Sequence, residues 1–280
     1  MKTRTISQII EPKMVIEGAG VLLRRSIAPH ASNLFDPFLL FDHFAFNNPL
    51  EGPLRGFPMH PHRGIETVTY MLEGTVRHRD SLGNAGTITE GDVQWMTSGR
   101  GILHEEMPRR SEQGNIYGFQ LWVNLPAAQK MGEPRYQEVA TETIPVVKKD
   151  GITIRLVAGE SDGVRGPVTD IAASPLYMDV KLDPGSRFVY PIPGGHTALM
   201  YVFEGAGEFS REAVEAVSMI KLNDDGDQIE VKTEAGVRFM LIAGAPFKEP
   251  IVPYGPFVMN SREEIEETLR ELRNGTFIKA

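Results

Sequence analysis

The chain has 280 residues, 41% hydrophobic and 24% charged, with a formal net charge of -8 and no cysteine. That length suits two domains of ordinary size, and the acidic balance argues against a surface built to neutralise nucleic-acid phosphates. Without thiols there are no disulfides and no thiolate ligands, so a redox role must run through a metal or a bound ligand.

The elements come in this order. The first seven residues hold no apolar core of signal-peptide length, and no apolar run reaches membrane-spanning length, so a cytoplasmic protein without membrane contact is expected. Short strands rich in β-branched and aromatic residues are predicted at 38–46, 66–72, 116–125, 176–182, 197–203 and 237–243, each closed by Gly, Pro, Asn or Asp. The polar segment 127–149, with Pro134, Pro145 and the turn signal Lys148-Lys149-Asp150-Gly151 at its end, marks a boundary between domains. The C-terminus alone reads as helix. Asn260 or Ser261 can cap it, Glu263 and Glu264 suit its first turn, Ile265, Leu269 and Leu272 form an apolar stripe for docking on the core, and Gly275 can end it.

An internal repeat organises the β region. Tyr70-Met71-Leu72-Glu73-Gly74 reappears as Tyr201-Val202-Phe203-Glu204-Gly205, and Glu90-Gly91-Asp92 matches Asp225-Gly226-Asp227. The first offset carries His60, His62 and Glu66 onto Pro191, Pro193 and Thr197. The second carries His104 and Glu106 onto Phe239 and Leu241. The second copy therefore has no set of metal donors, and His196 reads as a surface or hydrogen-bonded histidine.

Three of the seven histidines fall in two tight pairs, His60-Pro61-His62 and His104-Glu105-Glu106. Residues i and i+2 of a strand share a face, so His60 and His62 point one way, as do His104 and Glu106, while Glu105 points away. Two such strands side by side place three imidazoles and a carboxylate around one point, a mononuclear metal site with positions left open. Glu66 shares the parity of His60 and His62 and is an alternative ligand, or an acceptor that orients a histidine. Arg63 and Arg100 read as surface ion pairs. Phe57, Trp95 and Trp122 read as core, with the lining of a cavity for a flat aromatic molecule as the alternative.

The spacing His60-x-His62-x3-Glu66-x7-Gly74, followed by Gly91 and Gly99-x-Gly101-x2-His104, resembles the two cupin motifs. Residues 57–68 and 94–108 resemble the two signatures of the pirin family, as do Gln120-Leu121-Trp122-Val123-Asn124-Leu125 and Gly255-Pro256-Phe257-Val258-Met259-Asn260. The resemblance runs from about residue 38 to 260. It implies an all-β bicupin: two tandem antiparallel β-barrels of jelly-roll type and a short C-terminal α-helix. The expected division is a metal-binding barrel at 1–135, a barrel without ligands at 136–260 and the helix at 261–280. The resemblance also implies one mononuclear divalent metal, iron by expectation, held by His60, His62, His104 and Glu106. Ni, Co, Cu, Mn or Zn could occupy the same ligands.

Two activities come with the resemblance. The leading expectation is a quercetin 2,3-dioxygenase-like oxidoreductase, cleaving a flavonol with dioxygen, in which Glu106 is the carboxylate placed to accept the substrate's proton. The competing expectation is a non-enzymatic, iron-binding, redox-responsive co-regulator that binds a protein partner. A metal-stabilised scaffold without chemistry is the third.

Overall fold

The computed structural model describes residues 1–45 and 56–279. The chain forms two compact units. One joins Met1–Pro12 to Glu142–Pro246, the other Lys13–Thr141 to Phe247–Ala280. These units cut the chain differently from the linear division 1–135, 136–260 and 261–280. The reason is strand pairing. Ile6–Ile10 ladders onto Ser218–Leu222, and the C-terminal helix packs on Val252–Tyr254 and Phe257–Met259. Among the described residues no helix is long and apolar enough to cross a membrane.

The unit that carries the histidine pairs is a jelly-roll sandwich of two sheets. Its seven-stranded sheet runs Arg135–Val139, Val93–Thr97, Ile65–Glu73, Tyr117–Asn124, Phe38–Ala45, Val21–Ile27 and Lys13–Glu17 in spatial order. Its four-stranded sheet runs Phe57–His62, Ile102–Arg109, Thr75–Asp80 and Ala85–Ile88. The sheets remain separate, so the expected barrel of jelly-roll type is an open sandwich. Pro58 and Pro61 fit this arrangement because their strand lies at a sheet edge, where a missing N–H interrupts no ladder. The predicted strand at 38–46 is observed as Phe38–Ala45, and Phe46 lies outside the described residues.

The other unit repeats this order. Its strands run Ile6–Ile10, Ser218–Leu222, Thr197–Phe209, Val237–Gly244, Leu176–Leu182, Ile152–Ala158 and Val146–Lys149. The strand Thr197–Phe209 is 13 residues long and changes partners midway, which fuses both layers into one ten-stranded sheet. Its core is aliphatic and aromatic, with Leu156, Met178, Met200, Phe239 and Leu241 fully buried.

The topology bears out the first repeat offset at Tyr70–Gly74, moves it by one at His60, whose counterpart is Tyr190 rather than Pro191, and corrects the second. Glu90–Asp92 leads into Val93–Thr97, whereas Asp225–Asp227 leads into Gln228–Lys232, the counterpart of the His104 strand. His78 lies opposite Glu106, and its counterpart Phe209 lies opposite Val231. Glu106 therefore corresponds to Val231 and His104 to Ile229, not to Leu241 and Phe239. Both are buried apolar residues, so this copy still lacks the donors.

The helix Arg262–Asn274 forms as its sequence predicts. The Ser261 hydroxyl accepts from the Glu264 backbone, and the Glu264 carboxylate accepts from the Ser261 N–H. Gly275 closes it at φ 70°. Ile265, with Leu269 and Leu272 beside it, packs on Phe257, Met259 and Phe277.

Candidate metal centre

The strand Phe57–His62 pairs antiparallel with Ile102–Arg109, and His60 stands directly opposite His104. Gly64 turns the chain between His62 and Ile65 at φ 79°, and a Cβ there would stand 2.3 Å from the Val258 carbonyl oxygen. Gly99, at φ 46°, turns it before the second pair, where a Cβ would meet the Gly132 carbonyl at 2.2 Å. The glycines of the motif are thus fixed by backbone packing around the site.

His60, His62 and His104 converge. One ring nitrogen from each lies within 4.8 Å of the others, and among the described residues no other three such groups gather. The His60 and His62 Nε2 atoms are 3.1 Å apart. His62 and His104 are buried and His60 is half-buried. Glu106, also buried, stands beside the cluster with Oε2 4.0 Å from His104 Nε2. Glu105 points away and pairs with Arg79, as the alternation requires.

Electrostatics keep the His62 and His104 imidazoles neutral. Burial, then the charges of His104 and His60, hold the His62 pKa well below its ordinary value. Burial, with His60 and His78 nearby, lowers His104 to about 3. Neutral rings keep a lone pair for a metal. His60 Nδ1 and His62 Nδ1 lie 2.9 Å and 3.2 Å from the Pro58 and Pro256 carbonyls. A proton on each Nδ1 then donates to a carbonyl and leaves Nε2 as the donor atom. His104 has both ring nitrogens buried without a hydrogen-bond partner among the described residues, a costly state unless an ion accepts a lone pair. The three histidines fit one mononuclear metal ion.

The surroundings differ from the sequence reading at two positions. Glu66 belongs to the other sheet and orients no histidine. Its carboxylate accepts from Trp95 Nε1 at 3.1 Å and Thr97 Oγ1 at 2.8 Å, and burial raises its pKa to about 7. Arg63 is not a surface group. It is 1% exposed and donates to the Arg100 carbonyl, Thr268 Oγ1 and Glu271 Oε2, tying the His62 loop to the C-terminal helix. Arg100 does form the expected surface pair, with Glu133.

Trp95 is buried in the core. Trp122 packs edge-on to His62 with ring centres 5.1 Å apart, and its buried N–H finds no partner among the described residues. Phe57 lies 6.2 Å from His60. Two residues escaped the sequence reading, Thr69 and Gln120. Thr69 Oγ1 donates to Glu106 Oε1 at 3.2 Å, and Gln120 Nε2 lies 3.3 Å from both Glu106 oxygens. The sequence offered little signal, because each is one of several polar residues on its strand, with Glu66, Thr67 and Glu73 beside Thr69 and Asn124 beside Gln120.

The chain is similar to known proteins over nearly its whole length. A family model described as pirin matches residues 20–123, and one described as the pirin C-terminal cupin domain matches 177–278. A pirin-like protein of Caulobacter vibrioides is 42% identical over 279 residues, covering 99% of this chain and 100% of its own. Pirin of Homo sapiens is 45% identical over 265 residues, covering 92% and 88%. The crystal structure of a quercetin 2,3-dioxygenase from Acinetobacter baumannii matches with a TM-score of 0.89 and 35% identity over 99% of both chains. With both halves matched by family models and a relative 42% identical over the whole length, the chain belongs to the pirin family.

Proposed function

We propose that the chain is a metal-dependent dioxygenase that opens the ring of a flavonol such as quercetin, at a single Fe(II) ion held by His60, His62, His104 and Glu106. The observation that carries this reading is the cluster of three imidazoles beside a buried carboxylate, with the buried His104 nitrogens having no hydrogen-bond partner among the described residues. The full-length similarity to a quercetin 2,3-dioxygenase supports the substrate class. The ion, when bound, acidifies a coordinated hydroxyl and couples the substrate to dioxygen.

The protein's own groups have separate tasks. The Pro58 and Pro256 carbonyls fix the tautomers of His60 and His62. Glu106 receives the flavonol hydroxyl proton when its carboxylate loosens from the metal, while Thr69 donates to Oε1 and Gln120 to both oxygens. Trp122 and Phe57 offer flat apolar walls beside His62 and His60.

Metal analysis of protein purified without added metal, paired with oxygen uptake on quercetin, tests the reading. One tightly bound metal per chain, oxygen-dependent loss of the quercetin absorbance band, and loss of both in His62→Ala are expected. If fully metallated protein consumes no oxygen with any flavonol, while oxidation of its metal changes its affinity for a protein partner, the co-regulator reading replaces this one.

A further inference from the structure

A single cross-strand row runs over the inner face of the seven-stranded sheet. Its register is Glu138–Gln94–Thr69–Gln120–Asp42–Arg25, each residue directly opposite the next. Every member is polar or charged, and Gln94, Thr69 and Asp42 are each only 3% exposed. The same row in the copy without the histidine cluster is Ile9–Ile220–Met200–Leu241–Met178–Leu156. The five from Ile220 to Leu156 are completely buried. The jelly roll therefore packs well with this row apolar, and buried polar groups are costly unless bonded. The polar row accompanies the metal donors and is not needed for the fold.

The hydrogen bonds show what the row is aimed at. At one end Arg25 occupies both Asp42 oxygens, at 2.8 Å and 2.7 Å. At the other end the Gln94 amide donates to Glu138 at 3.3 Å. The two central residues turn across to the opposite sheet, where Thr69 and Gln120 donate to Glu106. Arg25 thus takes up the acceptor that would compete for the Gln120 amide. Oε1 accepts from both donors, the Gln120 amide also reaches Oε2 at 3.3 Å, and Oε2 faces His104.

We propose that Gln120 and Thr69 are positioning residues that hold the Glu106 carboxylate as a metal ligand, with the polar row keeping their donors free for it. This rests on Glu106 being a ligand, as proposed above.

The test is cobalt(II) titration of the metal-free protein, reading the dissociation constant and the visible ligand-field bands of Co(II), in wild type, Glu106→Gln, Gln120→Leu and the double variant. Gln120→Leu installs the residue that the other copy carries, so urea unfolding should show a folded protein. It should bind Co(II) on the order of 10–100-fold more weakly, with shifted bands. In the Glu106→Gln background the same change should have no further effect, because its route to the metal is gone. If Gln120→Leu does not fold, Thr69→Val, which removes one donor and keeps the shape, replaces it, with a weakening of several-fold expected. Unchanged binding in Glu106→Gln would overturn the ligand reading and this inference together. Weakened binding in Glu106→Gln with none in Gln120→Leu, or equal losses in both backgrounds, would overturn this inference alone.

Discussion

Replacing Arg63 should detach the C-terminal helix from the loop that carries His62. The guanidinium is 1% exposed and makes three side-chain bonds: Nε to the Arg100 carbonyl at 2.6 Å, Nη1 to Thr268 Oγ1 at 3.0 Å and Nη2 to Glu271 Oε2 at 2.5 Å. It also lies 4.5 Å from the centre of the Phe277 ring. Breaking a buried ion pair by removing one partner costs about 3–5 kcal/mol. Here Lys279 still pairs with Glu271 at 2.6 Å, and Thr268 keeps its bond to the Glu264 carbonyl, which places Arg63→Met toward the lower end, about 3 kcal/mol. Urea unfolding at neutral pH measures this. Glu271→Gln should cost a similar amount, by leaving the guanidinium without its carboxylate. The double change to Met at both positions should cost clearly less than the sum, since an apolar pair strands no charge. Limited proteolysis should cut within Arg262–Asn274 sooner in either single variant. A loss below about 1 kcal/mol in Arg63→Met, or strict additivity with Glu271→Gln, would refute the clamp.

Two more expectations follow from the site's surroundings. Burial raises the Glu66 carboxyl from 4.5 to about 7 against the bonds from Thr97 and Trp95, so the folded state holds its proton more tightly than the unfolded chain. That contribution is complete below about pH 4.5 and is lost as pH rises through about 7, a change on the order of 3 kcal/mol. Glu66→Gln removes it, so the stability of the variant relative to wild type, from urea unfolding at pH 5, 6, 7 and 8, should rise with pH; a pH-independent difference would count against the shifted carboxyl. Gly64→Ala puts a Cβ against the Val258 carbonyl at a φ that L-residues avoid, and should cost about 2–4 kcal/mol while lowering metal content, because the turn it distorts begins at His62. Wild-type stability in that variant would show that the loop can relax at no cost.

The sequence by itself determined everything that depends on short range. Period-two alternation set the faces of His60, His62, His104 and Glu105, and the structure turns them as the alternation requires. The capping box and Gly275 set the ends of the helix, because these are contacts over three or four residues. The first repeat, anchored on Tyr70–Gly74, located the equivalent strand in the other copy and signalled its missing donors.

What alternation cannot give is which strand lies opposite. The second repeat matched a turn to a turn and so assigned Glu106 to the wrong strand. Only the pairing of Gln228–Lys232 with Thr197–Phe209 moved its counterpart to Val231. The role of Arg63 depended on a helix some 200 positions later, reached through Glu271. Glu66 found Trp95 and Thr97 on the neighbouring strand instead of a histidine. Gln120 and Thr69 are two more polar residues on strands until the sandwich closes and sets them beneath Glu106. Cross-strand partners arise from long-range register, which a single chain read from end to end does not contain. The tertiary structure therefore decided how the carboxylate is held, while the sequence had already placed it beside the histidines.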